Sequence, residues 1–393
     1  MVYRFRFGFL VFLFSALLAL SFVSDSVARP EFAAMEDKEC IFCHLDPAGG
    51  GPRNAVGQVY EDNYFEFPED FDPEAIMEEA EEVRQRLTTA VNIRTAYIKT
   101  AHVDPEGRAR ATCTSCHSAV DSFLLMQGEL TVNAQASDKL RLTLSNNMGS
   151  TLNMFATVDA IPKHLYVKVG QFRIPFGLKQ RDHNILVHQG YNLGSHQRDV
   201  GVEVGGTYGK VFYNAAIVNG NRSAGQAPDT NQHKGMAATA GSTLGPLRGG
   251  VSFLLDRDRD LDREMTAGAF LTAALKNLTL EGEFNLGGSY GDDESIGFSD
   301  DAITSKGYYV GAKYRVMPEL MLSGRYGLFD PDRAVKGDGS QRVTLAAQYI
   351  FMENGSLELF YWLNIANDDR DPTSTDRQLE GIDQLILMSH FWF

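Results

Sequence analysis

The chain has few cysteines, few tryptophans and a deficit of positive charge. Its 393 residues contain four cysteines and two tryptophans, and the formal net charge is −15. A protein this acidic lacks the basic face that nucleic-acid phosphates require, so nucleic acid is excluded as a partner, whereas metal cations and basic proteins are not. After residue 23, no stretch approaches the roughly 18 uninterrupted apolar residues of a membrane-spanning helix. Beyond the N-terminal run, the sequence therefore offers no transmembrane helix.

An apolar run at the start of the chain predicts export. Arg4 and Arg6 precede the apolar residues 7–23, and small residues at 26–28 offer a cleavage site. Residues 1–28 are interpreted as a signal peptide, although the length of the run also fits an uncleaved membrane anchor. Either interpretation takes the chain out of the cytoplasm.

The four cysteines all belong to two matching pentads, CIFCH at 40–44 and CTSCH at 113–117. Both read C-x-x-C-H, the attachment signature of c-type haem. Two thiols three positions apart on one helical turn can meet the two vinyl groups of one porphyrin, and the adjoining imidazole can turn onto the iron. The pattern predicts two haem c groups, held by thioethers from Cys40, Cys43, Cys113 and Cys116 and by proximal imidazoles from His44 and His117.

Other uses of these cysteines stay open at this point. A single C-x-x-C pair also suits a redox dithiol, and four cysteines suit a zinc ribbon or two structural disulfides. The two halves of a zinc ribbon are separated by about 15–20 residues, whereas Cys43 and Cys113 lie much further apart. The histidine that follows each pair has no role in a ribbon, so haem attachment accounts for more of the pattern.

Residues 29–126 are predicted to form a small dihaem cytochrome segment, mainly helical or irregular. Asp72 and Pro73 have the form of a helix cap and a first helical residue. Apolar residues then recur at helical spacing, at Ile76, Ala80, Val83, Leu87 and Val91. His102 is the one histidine between the pentads; it is a candidate distal ligand, with an exposed loop histidine as the alternative.

From residue 127 to residue 393 the pattern changes to period two. In residues 278–286, Leu280 and Phe284 share one face, while Glu281 and Glu283 share the other. The same alternation occurs in residues 308–316, 320–328, 343–351 and 357–365. Charged residues on one face and aliphatic residues on the other fit a barrel with lipid outside and water inside. A soluble sandwich also alternates, but with smaller outward aliphatics.

The number of strands and the lengths of their connections support a transmembrane antiparallel β-barrel. The sequence contains about 15 strand-like runs, and because a single-chain bacterial barrel needs an even number, 14 and 16 stay open and 16 is preferred. The missing strand is expected near residues 184–188 or before residue 127. From about residue 200, short turns alternate with long loops, as in outer-membrane barrels. If residues 160–163 are a periplasmic turn, the second pentad, ten residues before residue 127, lies towards the outer side.

Two motifs give a family resemblance. Residues 169–178 (VGQFRIPFGL), followed by residues 198–202 (RDVGV), resemble the phosphate-selective porin family over residues 127–393. The resemblance implies that the intervening segment folds into the barrel as a constriction loop. With haem pentads before the barrel, the chain is similar to the outer-membrane cytochrome–porin fusions of iron-oxidising bacteria. Those fusions usually carry one haem pentad, whereas this chain has two.

The resemblance implies an electron conduit in the outer membrane of a Gram-negative bacterium, surrounded by outer-membrane lipid. Electrons would pass through luminal haem between a periplasmic cytochrome and an extracellular metal ion, mineral or partner cytochrome. An inward constriction loop would bring His188 and His196 within reach of such a haem as candidate distal ligands. Two alternatives stay open: an anion-selective porin with a haem-based redox sensor or gate, and an enzyme such as a peroxidase or a cell-surface metal oxidase or reductase.

Overall fold

The structure is a computed structural model. It describes residues 36, 38, 40–45, 53–63, 66–68, 70–76, 87–100, 121–148, 150–162, 164–179, 185–191, 193, 198–220, 234–257, 263–289, 303–335, 339–365 and 383–392. The predicted signal peptide lies outside these residues.

Two short helices, α1 (Cys40–Cys43) and α2 (Ala55–Asp62), precede the sheet. Asn54 holds them together. Its side-chain oxygen accepts a hydrogen bond of 2.9 Å from the Gly57 N–H and so caps α2. Its side-chain amide donates to the Phe42 carbonyl, and its backbone N–H donates to the Cys43 carbonyl, each at 3.0 Å. Within the described residues, no helix has the length and apolarity needed to cross a bilayer.

Sixteen antiparallel strands form a closed barrel. They are β1 (Leu87–Thr100), β2 (Asp121–Gln135), β3 (Leu140–Asn147), β4 (Ser150–Ile161), β5 (Leu165–Arg173), β6 (Arg198–Tyr208), β7 (Val211–Val218), β8 (Gly235–Leu244), β9 (Leu247–Arg257), β10 (Arg263–Leu275), β11 (Leu278–Ser289), β12 (Ile303–Met317), β13 (Leu320–Asp330), β14 (Ser340–Met352), β15 (Gly355–Ile365) and β16 (Gln384–Trp392). A third short helix, α3 (Leu186–Gly190), lies between β5 and β6.

The first and last strands close the ring. β1 pairs with β16 in an unbroken register from Asn92 opposite Trp392 to Thr100 opposite Gln384. Every other strand pairs with its neighbours in sequence. Closure leaves no open sheet edge, which is the condition for strands to span hydrocarbon. The preferred count of sixteen strands is therefore confirmed.

The two ends of the barrel differ in their connections. One end, called here the short-turn end, carries the connections at residues 136–139, 162–164, 209–210, 245–246, 276–277, 318–319 and 353–354. The other, the long-loop end, carries most of the long connections, among them residues 219–234, 290–302 and 366–383. The N-terminus of β1 and the C-terminus of β16 are at the short-turn end. The predicted alternation of turns and loops is confirmed.

The two faces of the wall also differ as predicted. On β11, Glu281 and Glu283 face the lumen and are buried, while Leu280 and Phe284 face outward and are 42% and 44% exposed. Outward aliphatic and aromatic side chains continue around the ring, from Val158 on β4 to Leu387 on β16. A contiguous apolar surface of this extent fits lipid and not water.

Two sequence-based predictions about the boundary of the barrel are wrong. The helical spacing assigned to residues 76–91 breaks at Leu87, because Leu87 and Val91 lie in strand β1. The barrel thus begins inside the stretch assigned to the cytochrome segment, and β2 begins at Asp121, before residue 127. β1 is the missing strand expected before residue 127. The other expected position, at residues 184–188, carries part of helix α3 instead.

Because the outward face fits lipid, the loss of folding free energy caused by a charged side chain there should depend on its depth in the bilayer. Leu359 lies at the middle of β15 and its side chain is 45% exposed. We expect Leu359→Arg to lower the free energy of unfolding by about 2–4 kcal/mol, because the charge would lie in hydrocarbon. The same substitution at Leu87, at the short-turn end of β1, should cost about 0–1 kcal/mol. Urea titration of the protein in phospholipid vesicles measures both, and equal losses would contradict a lipid-covered wall.

Candidate functional site

The first pentad forms one turn of helix followed by a buried histidine. The backbone of α1 carries Cys40 and Cys43 on a single turn, and the His44 side chain that follows is 4% exposed. A β-bridge between His44 and Arg53 returns the chain to α2. Two cysteines three apart on one helical turn, with an adjoining histidine, are the donor set that haem attachment needs.

The surroundings of this turn fit a flat aromatic group. Helix α2 packs directly on the pentad, since a Cβ added at Gly57 would collide with the carbonyl oxygen of Cys43. The Phe42 ring lies 5.9 Å from the Phe67 ring, edge to face, and Phe67 stacks on Phe71 at 4.2 Å. The chemistry of the donors and this aromatic setting are both compatible with a c-type haem at Cys40, Cys43 and His44.

Ionic contacts fix this segment inside the short-turn end of the barrel. Arg141, which faces the lumen on β3, donates a hydrogen bond to the Leu45 carbonyl and pairs with Asp159 at 2.9 Å. Arg315, near the end of β12, pairs with Glu66 at 3.2 Å. Both arginines are at least nine-tenths buried, whereas the Glu66 side chain is 49% exposed, so the Arg315–Glu66 pair lies at the edge of the lumen.

An aromatic cluster joins the same segment to the end of the last strand. Tyr60 and Phe67 pack against Ile350 and Trp392. The Tyr60 hydroxyl donates a 3.0 Å hydrogen bond to Glu36. Burial raises the pKa of Tyr60, and the nearby Glu36 carboxylate adds to the rise, so the hydroxyl keeps its proton. Burial likewise raises the pKa of Glu36, although the bond from Tyr60 opposes it.

The second pentad belongs to the connection between β1 and β2. Cys113, Cys116 and His117 lie outside the described residues, as does His102. The strands on either side are described: β1 ends at Thr100 and β2 begins at Asp121, both at the long-loop end. The first pentad therefore precedes β1 at one end of the barrel, and the connection that contains the second begins and ends at the other.

The segment after β5 turns into the lumen, as the porin resemblance implies. Its first residues bond to the inner wall: the Gly177 N–H donates to Ser252 Oγ, and Thr239 Oγ1 donates to the Pro175 carbonyl, each at 2.9 Å. Apolar side chains of the segment pack on inward residues of the wall. The buried members are Ile174, Phe176, Leu178, Ile185, Val187, Tyr191, Leu193, Phe212, Ala237, Leu254, Phe270 and Tyr309. The described part of this constriction loop thus fills lumen space.

Glu283 on β11 is the polar anchor of the constriction loop. Its carboxylate accepts a 2.9 Å hydrogen bond from the Leu178 N–H and lies 3.1 Å from His188 Nε2. Asn285 donates to the same carboxylate at 2.9 Å. Gly177 has a positive φ of 58°, and a Cβ there would collide with the Glu283 carboxylate, so glycine permits the close approach.

Tyr191 attaches the far side of the loop. Its hydroxyl donates a 3.2 Å hydrogen bond to the Asn285 carbonyl, and its ring packs edge to face on Phe329. Burial raises the pKa of Tyr191 to about 12, so the hydroxyl remains a donor at physiological pH. The loop is therefore held to the wall from β8 to β13 by hydrogen bonds and apolar packing together.

Lys168 on β5 is a buried cation near the start of the constriction loop, and its charge is already paired. Its ammonium lies 3.4 Å from Glu203 Oε1 and over the rings of Phe155 and Tyr166, at 4.8 and 5.5 Å. Glu203 also accepts a 2.6 Å hydrogen bond from the Tyr166 hydroxyl. The charge of Lys168 is compensated within the wall and is not directed at a passing anion.

Of the three candidate distal ligands, His188 lies within the described residues. His188 is 2% exposed and faces Glu283, with its ring edge to face on Tyr309. It anchors the loop, and its role as an iron ligand stays a prediction, as do those of His102 and His196, which lie outside the described residues. The sequence pattern marked Glu283 only as one of several inward carboxylates, because nothing local identifies its partners across the lumen.

Solved structures with the same fold include a porin and other outer-membrane proteins. OmpF of Salmonella typhi, in complex with daunomycin, superimposes with a TM-score of 0.56 at 10% identity, covering 78% of this chain and 97% of that one. In-vitro folded OmpT of Vibrio cholerae gives 0.55 at 10% identity, with 78% and 97% covered. The anion-selective porin from Comamonas acidovorans gives 0.53 at 13% identity, with 78% and 99% covered. No family model and no curated protein matches the sequence. The chain thus has a porin-like sixteen-strand barrel fold.

The Glu283 anchor predicts a change in the lumen. We expect Glu283→Gln to weaken the loop's attachment by about 1.5–3 kcal/mol, the usual worth of hydrogen bonds to a charged group. Recordings in planar bilayers should then show a larger or more fluctuating conductance than the unmodified protein. Glu281→Gln is the matched control, because Glu281 faces the same lumen from the same strand but pairs with Lys313. Identical recordings from both variants would contradict the anchoring role.

Proposed function

We propose that the chain is an outer-membrane electron conduit that carries one c-type haem towards each end of a porin-like barrel. One observation carries this proposal. Strand β1 separates the two pentads, the first preceding it at the short-turn end and the second following it at the long-loop end. A path between two aqueous sides needs redox groups directed to both sides of the wall, and this chain order supplies them.

The described contacts of the first pentad support a role inside the barrel mouth. Arg141, Arg315 and Trp392 all face inward at the short-turn end, and each contacts the segment that includes α1 and α2. A haem at Cys40 and Cys43 would therefore be held at the mouth of the barrel rather than on a free domain. A bound c-type haem supplies a one-electron iron couple, while the protein sets its axial ligands, position and insulation.

The barrel itself supplies insulation. Its closed hydrogen bonding keeps lipid away from the backbone, and its outward apolar side chains match a bilayer. The constriction loop fills part of the lumen with buried apolar side chains, which limits solute leakage. These features suit a barrel that lets electrons cross the membrane between haems and holds back ions and solutes.

The proposed partners follow from the two ends. In outer-membrane barrels short turns face the periplasm and long loops face outward. A periplasmic cytochrome would then meet the short-turn end, and an extracellular metal ion, mineral or partner cytochrome would meet the long-loop end. Two haem c groups are the proposed cofactors, and the distal ligands His102, His188 and His196 belong to the same proposal. If the conduit oxidises or reduces a metal at the cell surface, the protein would also be an enzyme.

Haem content and electron exchange test the conduit. We expect the purified protein to exceed its polypeptide mass by two porphyrins, and Cys113→Ser/Cys116→Ser to lose one of them. Whole cells carrying His44→Ala or His117→Ala should lose electron exchange with an extracellular acceptor. His164→Ala is the control, because His164 is an exposed histidine of a short turn. Unchanged exchange in both pentad variants, or a protein without porphyrin, would refute the conduit.

A second candidate function is an anion-selective pore in which haem senses redox state or gates the channel. The fold likeness to porins, one of them described as anion-selective, supports a pore directly. The loop folded into the lumen suits a selective constriction. This candidate predicts a large, steady, anion-selective conductance in planar bilayers with the haems in place. Failure to observe such a conductance would leave only the conduit.

A further inference from the structure

The inner wall carries an apolar patch where a water-filled lumen would be polar. Five of its members face the lumen and are buried, and three more are partly buried against them. The inner apolar patch consists of Ala96, Ile98, Trp362, Ile386 and Met388, with Leu124, Met126 and Phe360. Inward residues of transmembrane barrels are normally polar, as Thr279, Glu281 and Asn285 are on the opposite wall. A local break of the inside–outside rule marks a candidate functional site.

Strand register assembles the patch at the long-loop end. Ile98 pairs with Ile386 across the β1–β16 seam, and Ala96 pairs with Met388. Phe360 pairs with Ile386 from the other side, and Leu124 pairs with Ala96. Ile98 is two residues from the end of β1, and Leu124 is three residues from the start of β2. The patch therefore lines the lumen directly below the connection that contains the second pentad.

The length of that connection lets a tethered group reach the patch. His117 is four residues before Asp121, and four extended residues span at most about 14 Å. Leu124 and Met126 are three and five residues further down β2, which adds roughly 10–17 Å of strand. A porphyrin joined at Cys113 and Cys116 would hang within reach of the patch without any strand moving.

One edge of the patch carries polar groups suited to an acidic ligand. Trp362 is 9% exposed, and its buried indole N–H has no hydrogen-bond acceptor among the residues that the structure describes. The Arg342 guanidinium lies over the Trp362 ring, 4.6 Å from its centroid, and its Nε donates to Asn364 at 2.6 Å. A buried donor left without an acceptor is destabilising unless a ligand satisfies it. A carboxylate such as a haem propionate would accept from the indole N–H and face a cation.

We propose that the inner apolar patch is the seat of the second haem, and that a thioether of Met126 or Met388 provides the distal ligand of its iron. This inference rests on the proposed function. Trp362 and Arg342 would bind the propionates, and the aliphatic and aromatic members would cover the porphyrin face. The patch contains two thioethers and no histidine, so its donors differ from the histidines that the sequence suggested as distal ligands. Methionine would give this haem a higher potential than a second histidine.

Methionine substitutions in the haem-loaded protein, purified in detergent, test the seat. Met126→Leu, Met388→Leu and the double variant remove the thioethers while nearly conserving volume. We expect one single variant and the double variant to lose the ferric thioether–iron charge-transfer band. In a redox titration one haem potential should fall, while the other stays unchanged. Met236→Leu is the control, since Met236 faces outward on β8 and is 51% exposed.

Two further variants assign the effect to the second haem and to the polar edge. Cys113→Ser/Cys116→Ser should remove the thioether band along with one porphyrin, leaving the first haem's spectrum. Trp362→Phe, which deletes only the indole N–H and some ring area, should shift the potential of the same haem that the methionine variants affect. Barrel folding in every variant is checked by its strand circular dichroism and by heat-dependent migration in gels.

The outcomes separate this inference from the conduit. If the unmodified protein carries two porphyrins but lacks a thioether band, or if the double variant keeps it, the proposed seat and ligand are overturned and the conduit stands. If the protein carries no porphyrin at all, the proposed function fails first. A band that is lost in the Met236→Leu control as well would likewise overturn the assignment to the patch.

Discussion

The pairing of β1 with β16 is the constraint on which the rest of the structure depends. A barrel wall in hydrocarbon has to satisfy every backbone N–H and C=O within the sheet, so the ring must close. Asn92 to Thr100 close it against Trp392 to Gln384. The closing strand β1 also lies between the two pentads in the chain: the first pentad precedes it at the short-turn end, and the connection that contains the second begins at the long-loop end. β1 is therefore both the strand that closes the sheet and the strand that separates the two pentads in the chain.

The lumen combines two kinds of interior. On the wall from β8 to β13, the constriction loop covers inward residues. There the Glu283 carboxylate accepts hydrogen bonds from the Leu178 N–H and from Asn285, and it lies 3.1 Å from His188 Nε2. A buried carboxylate is tolerable only when its oxygens are satisfied, so the loop and Glu283 stabilise each other. Near the β1–β16 seam the wall carries the inner apolar patch. The lumen therefore has a side filled by the constriction loop, where apolar side chains surround the Glu283 anchor, and an apolar patch next to the connection that contains the second pentad.

The segment that precedes β1 meets the end of the last strand at the short-turn end of the barrel. Tyr60 and Phe67, from the segment that follows α1, pack on Trp392 of the last strand. The Trp392 ring also packs at a tilt against the His390 ring, 4.7 Å away, and His390 Nε2 lies 3.0 Å from Asn92 Oδ1 of β1. The first pentad is thereby connected through aromatic packing to the same seam that closes the ring. A substitution at the β1–β16 seam should consequently alter the packing around the first pentad, and a substitution in the pentad should alter the packing at the seam.

The sequence by itself determined the two C-x-x-C-H pentads, the period-two wall and the alternation of turns and loops, because each depends on spacing along the chain. It misread β1 because Ala96 and Ile98 point inward between Arg94 and Thr100, so apolar residues interrupt the polar inner face. Helical spacing at Leu87 and Val91 then gave a false signal, which closure of the sheet overrides. Only the tertiary structure brought Glu283 to His188 and Met388 to Ala96. Such contacts join residues far apart in the chain, and local patterns carry no record of which strands will face or adjoin one another.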